Sequence, residues 1–158
     1  MPTYATQADL EQFFSAANVA DWADKDRDGA LGPAEQAGIE TALVAAEGIV
    51  DGYLARAGYA APFAADAFAE LPARVQSQLR QWTVTVAGFH IYAWRGLRDR
   101  ANAMEALYAR TLAQLQDLGR GTLLAGVARA GRVSAGTGRT VGQATDDLSH
   151  LRGDGWDW

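Results

Sequence analysis

Cysteine is absent from the 158 residues, which excludes a disulfide framework, a thiolate zinc site and a cysteine nucleophile. Lysine occurs once, at Lys25, and every other basic residue is arginine. A GC-rich coding sequence gives that bias as readily as selection for planar guanidinium contacts, so it assigns no function. The first nine residues lack the basic start and apolar run of a secretory signal, so export by that route is not expected. No segment approaches the roughly 20 apolar residues of a membrane span, because Arg, Asp, Glu or Gln breaks every alanine-rich stretch. No membrane is expected among the partners, and a reducing cytoplasm is compatible.

The charge is uneven. Residues 1–70 hold 12 acids and 3 bases, a net of −9, and residues 71–158 hold 7 acids and 11 bases, a net of +4. Halves of opposite sign can attract between subunits, although solvated helix faces give the same count. At this length one domain with an additional arm is expected.

Apolar spacing predicts an all-α fold, a small bundle of about four helices over 1–120, followed by an extended Gly-rich arm over 121–158. Thr6 with Asp9 forms a capping signal for a helix over about 7–17, with a short piece from Val19 to Ala23 after it. Pro33 suits the first turn of a long helix running to about Ala57. Its inner face is Ile39, Leu43, Ala46, Val50, Tyr53 and Leu54, with Glu40, Glu47 and Asp51 off that line. Gly58 and Pro62 end it, and a loop follows. After Pro72, the stripe Val75, Leu79, Trp82, Val86, Phe89 and Tyr92 predicts a second long helix, apolar all round in its second half as the centre of a bundle or oligomer requires. Asn102 with Glu105 opens a last helix bearing Leu107, Thr111, Leu115 and Leu118, closed by Gly119 and Gly121. Seven glycines fall between 119 and 142, and the chain ends in a segment containing Arg152, Trp156 and Trp158. Exposed tryptophans favour aggregation unless they dock, so these three residues are expected to bind a partner, the alternative being that the segment folds back on its own domain.

One segment has the spacing of a metal loop. Asp24, Asp26 and Asp28 stand at positions 1, 3 and 5 of an EF-hand pattern, Gly29 at 6, Leu31 at 8 and Glu35 at 12. Alternate carboxylates converge on one hard cation, the Ala30 carbonyl supplies an oxygen, Gly32 would act through water, and Glu35 closes the shell with both oxygens. That arrangement would take Ca2+. The same residues also make a turn whose side chains cap backbone N–H groups with no metal, and both readings stand. No second loop is present, which argues against a paired calcium sensor.

Enzymatic chemistry finds little material. His90 lies among Phe89, Ile91 and Tyr92 and reads as a packed residue, and His150 falls in the arm. Gly136 to Thr140 lacks the ending and the preceding strand of a phosphate loop. Asp146 and Asp147 lie in a polar tail and not in a cleft. The small cluster Arg95, Arg98 and Arg100 is no basic stripe, so sequence-specific nucleic-acid binding is not expected. No cofactor is required by any of these residues.

In order and spacing, Tyr4-Ala5-Thr6 with Asp9-Leu10-Glu11, then Asp24-x-Asp26-x-Asp28-Gly29, then Ile49-Val50-Asp51-x-Tyr53-Leu54 with Tyr59 and Pro62, resembles a Mu-like phage and prophage neck protein family. The likeness covers about residues 3–120. Its helical layout is similar to the head–tail connector adaptors of long-tailed phages. The resemblance implies a structural virion protein of the neck, assembled in the host cytoplasm. It would form a ring of about twelve neighbouring copies between the portal protein and a tail terminator or next neck protein. DNA would pass through the lumen, and the arm would dock on the portal through Arg152, Trp156 and Trp158. Two features depart from the family pattern: the acid Glu35 at the twelfth loop position and the long Gly-rich segment 121–158. A calcium-binding regulator, a tail-completion or minor capsid protein, and a small helical toxin or regulator of bacterial origin are the alternatives.

Overall fold

The computed structural model describes residues 1–94, 103–118, 124 and 127. Helices α1 (Gln7–Phe14), α2 (Ala16–Ala23), α3 (Pro33–Arg56), α4 (Ala65–Ala69), α5 (Ala73–Trp94) and α6 (Ala103–Asp117) make an all-α architecture, and no strand occurs among the described residues. The sequence expectations hold for the long helices. They differ at two places. The first helix does not run to residue 17: Ser15 takes a positive φ of 71°, and its Oγ accepts the Asn18 N–H at 3.3 Å to start α2 afresh. The loop expected after Pro62 contains the five-residue α4, which tucks Phe68 into the core.

Local signals explain the ends. Thr6 and Asp9 close a reciprocal capping box on α1. Pro33 occupies the first turn of α3, where its missing N–H costs nothing. Gly58 adopts φ 87° after α3, and Tyr59 then donates its N–H to the Leu54 carbonyl at 3.0 Å, a left-handed helix stop that a side chain would strain.

Helix α5 is the centre, touching α1, α2, α3 and α6. Seven consecutive residues, Trp82 to Gly88, are buried, so the run that reads as strand or helix by composition is a helix enclosed on every side by one chain. The core has two lobes. Leu10, Val19, Ile39, Leu43, Val86 and Ile91 fill one, and Tyr4, Val50, Leu54, Leu79, Trp82 and Leu115 fill the other. Trp82 satisfies its buried indole by donating to Gln114 Oε1 at 2.9 Å, joining α5 to α6. Leu124 and Val127 pack on the second lobe, so burial continues past position 120. No helix among the described residues is long and apolar enough to cross a membrane.

Candidate functional site

The loop between α2 and α3 is built from short carboxylate-to-amide bonds. Asp24 Oδ1 accepts the Arg27 N–H at 2.6 Å and Oδ2 accepts the Gly29 N–H at 3.0 Å. Asp26 Oδ1 takes the Asp28 N–H at 3.3 Å, and Asp28 Oδ1 takes the Ala30 N–H at 2.8 Å. Arg27 and Gly29, at φ 64° and 83°, supply the left-handed turns that bring the three carboxylates toward one another. One oxygen from each of Asp24, Asp26 and Asp28 lies within 4.8 Å of the others. Asp24 is buried, Asp26 and Asp28 exposed.

The electrostatics are crowded. Burial pushes the Asp24 carboxyl up, but the Gly29 and Arg27 amides outweigh it and hold the group below the usual carboxylate range. The Asp28 amide pulls Asp26 down, yet desolvation and the charges of Asp28 and Glu35 together leave Asp26 above that range. Hard carboxylate oxygens are the ligand type that calcium and magnesium take, three of them filling part of such a shell, and an oxygen accepting one N–H keeps a second lone pair for a cation. Glu35 lies in the first turn of α3, where negative charge meets the positive helix end; it is not one of the three residues whose oxygens gather within 4.8 Å, but its charge still acts on Asp26. Ala30 is exposed, next to the group. The loop is braced from outside by Lys25 Nζ over the Trp94 ring at 4.2 Å, which ties it to the end of α5.

A second carboxylate pair escaped sequence reasoning. Glu47 and Asp51, one turn apart on α3 and both half-buried, hold residues 3–5 against the helix. Glu47 Oε1 accepts the Thr3 N–H at 2.6 Å and also the Tyr4 N–H. Tyr4 Oη donates to Asp51 Oδ1 at 2.5 Å and accepts the Phe63 N–H at 2.9 Å. Burial raises the Glu47 and Asp51 carboxyls above their usual range, opposed by the amides of Tyr4 and Thr3 in the first case and the Tyr4 hydroxyl in the second. The i, i+4 spacing of the two acids was the available signal, but the sequence does not reveal their partner.

His90 is half-buried near the rings of Phe89 and Tyr108, and burial lowers its pKa. Phe89 and Tyr108 stack at 4.0 Å, closing α5 on α6. Arg152, Trp156, Trp158, Asn102 and the Arg95, Arg98 and Arg100 cluster lie outside the described residues.

A family model described as Bacteriophage Mu, Gp36 matches residues 4–143, a span that contains the buried Tyr4, the aspartate loop and all six helices. No curated protein and no solved structure matches the chain.

Proposed function

The chain belongs to the Bacteriophage Mu Gp36 family, and from that premise we propose that it is a structural virion protein of the neck, a head–tail connector subunit that forms a ring on the portal. The observation that carries this reading is the family match from residue 4 to 143. An all-α fold and a sequence whose residues 1–70 are net acidic and 71–158 net basic support it, since head-to-tail contacts of opposite charge close into a ring when the rotation is right. In the reading the work is mechanical, and no residue acts as a catalyst. Neighbouring copies, about twelve, stack between the portal and a tail terminator or next neck protein, DNA crosses the lumen, and Arg152, Trp156 and Trp158 dock on the portal.

The test is the copy number in particles of the phage or prophage that encodes the chain, measured by quantitative mass spectrometry against the portal protein. A ratio near one is expected. Absence from particles overturns the reading, and a ratio far from one moves the chain to a tail-completion or minor capsid role.

The aspartate loop favours a second role within the same subunit: Asp24, Asp26 and Asp28 hold a structural Ca2+, with Ala30 and Glu35 beside them. The crowding that raises the Asp26 pKa supports it, because a divalent cation relieves that repulsion. Calcium at about ten times its dissociation constant would stabilise the fold by roughly 1.4 kcal/mol. A thermal melt in millimolar calcium is expected to shift upward relative to chelator, with a change in Trp94 emission through Lys25, and Asp26→Asn is expected to remove both. Identical melts with and without calcium would sink the metal role and leave the loop as a capped turn.

A further inference from the structure

Helices α1 and α5 leave a groove of about 460 Å³ between them, in the range of ~300–1,000 Å³ that accepts a small ligand or a large side chain. Phe13 and Val84 supply its apolar surface, and Gln12, Gln81 and the Asp9–Arg80 pair its polar rim. Phe13 is 43% exposed and braced edge-on against Phe14 at 4.8 Å, so the ring is held in place as an open apolar surface. Arg80 meets Asp9 through Nε at 3.3 Å, a geometry short of a hydrogen bond, and no hydrogen bond from its guanidinium is found among the described residues. The groove therefore suits an aromatic side chain that arrives beside a carboxylate.

The chain contains such a segment. Trp156 and Trp158 flank Asp157, with Asp154 two residues before, so this segment pairs indoles with carboxylates. An indole offers a flat face to Phe13 and an N–H to the carboxamide of Gln12 or Gln81. Asp157 offers Arg80 the charge-assisted partner that Asp9 only partly provides. Reach is ample: the 29 residues from Val127 to Trp156 span up to about 100 Å when extended. The source is set by concentration. A tethered segment meets its own groove at an effective concentration of about millimolar, well above a micromolar solution of neighbours.

We propose that in the free subunit the segment Trp156-Asp157-Trp158 occupies the α1–α5 groove of its own chain, over Phe13 and against Arg80. This docking is a property of the isolated chain and stands apart from the neck reading, which concerns the assembled particle.

Because the chain has no cysteine, an introduced pair reports proximity without background. The full chain carrying Gln12→Cys and Gly155→Cys is oxidised mildly at micromolar concentration, beside a control with Ala45→Cys on the exposed face of α3 and Gly155→Cys. Docking predicts an intrachain disulfide, a fast-migrating monomer on a non-reducing gel, that forms at least about tenfold faster than the control. Arg80→Gln, at a half-exposed site outside the two core lobes, and Trp156→Ala with Trp158→Ala should each return the rate to that of the control. Equal rates in the parent pair and the control overturn the proposal. So does a disulfide found only between chains, which gives the groove to a second copy.

Discussion

Gly88 is where α5 lets α1 come close. A Cβ there would lie 2.4 Å from Phe14 Cε2 and 3.0 Å from Met104 Cε. Phe14 has little room to retreat, since its ring is edge-on to Phe13 at 4.8 Å and to Trp22 at 5.3 Å. Gly88→Ala is therefore expected to destabilise the fold by about 1–3 kcal/mol in urea unfolding, despite the better helix propensity of alanine. A neutral result would mean that the Phe14 ring moves aside freely. Five residues earlier on the same helix, the fully buried Thr83 hydroxyl has no hydrogen-bond partner among the described residues. Thr85 avoids this by donating to the Gln81 carbonyl at 2.8 Å. Thr83→Val keeps the shape and removes the orphan group, so stability should rise by about 1 kcal/mol. A loss of stability in the same assay would show that the hydroxyl is satisfied after all.

The outer face of α3 is unusual for a helix in water: Thr41, Val44, Ala45, Gly48 and Gly52 are exposed and none is charged. Gly48 and Gly52 have no atom of the described residues within 4 Å of where a Cβ would stand, so no contact among those residues explains either. Each is expected to cost about 0.5–1 kcal/mol relative to alanine. Gly48→Ala and Gly52→Ala should therefore each stabilise the isolated chain by that amount, and a destabilised variant would reveal a contact on that face. The inner edge of α3 makes a different prediction. Glu47 and Asp51 have folded pKa values raised by burial, so their contribution to stability is fully present below the unfolded carboxylate values and is lost as pH rises through the folded ones. Relative to Glu47→Gln with Asp51→Asn, the parent chain should gain stability as pH falls from 7 to 5. The opposing effect of His90, whose pKa is lowered, is common to both and cancels. Parallel stability curves across that interval would refute the burial of the pair.

Across the whole molecule, what the sequence revealed is what repeats along it. The 3.6-residue stripes from Ile39 to Leu54 and from Val75 to Ile91, the Thr6–Asp9 box and the Gly58 stop all lie within a few turns of the residues they control. The break at Ser15 was hidden because the apolar spacing runs through it, while one residue's φ decides the outcome. In the aspartate loop, spacing singled out Asp24, Asp26 and Asp28, whose carboxylate oxygens the structure brings within 4.8 Å of one another, and Glu35, which lies in the first turn of α3 with its charge reaching Asp26. The pairing of Glu47 and Asp51 with residues 3–5 was illegible for a simpler reason: no periodicity links positions more than 40 apart in sequence. That separation also has a bearing on synthesis. The acceptor for the Thr3 amide is made 44 residues later and the donor to the Tyr4 hydroxyl 59 residues later. At roughly 5–20 residues per second, Tyr4 leaves the ribosome's catalytic centre about 3–12 s before Phe63 is even joined to the chain. Residues 3 and 4 thus wait several seconds of synthesis for the groups that seat them.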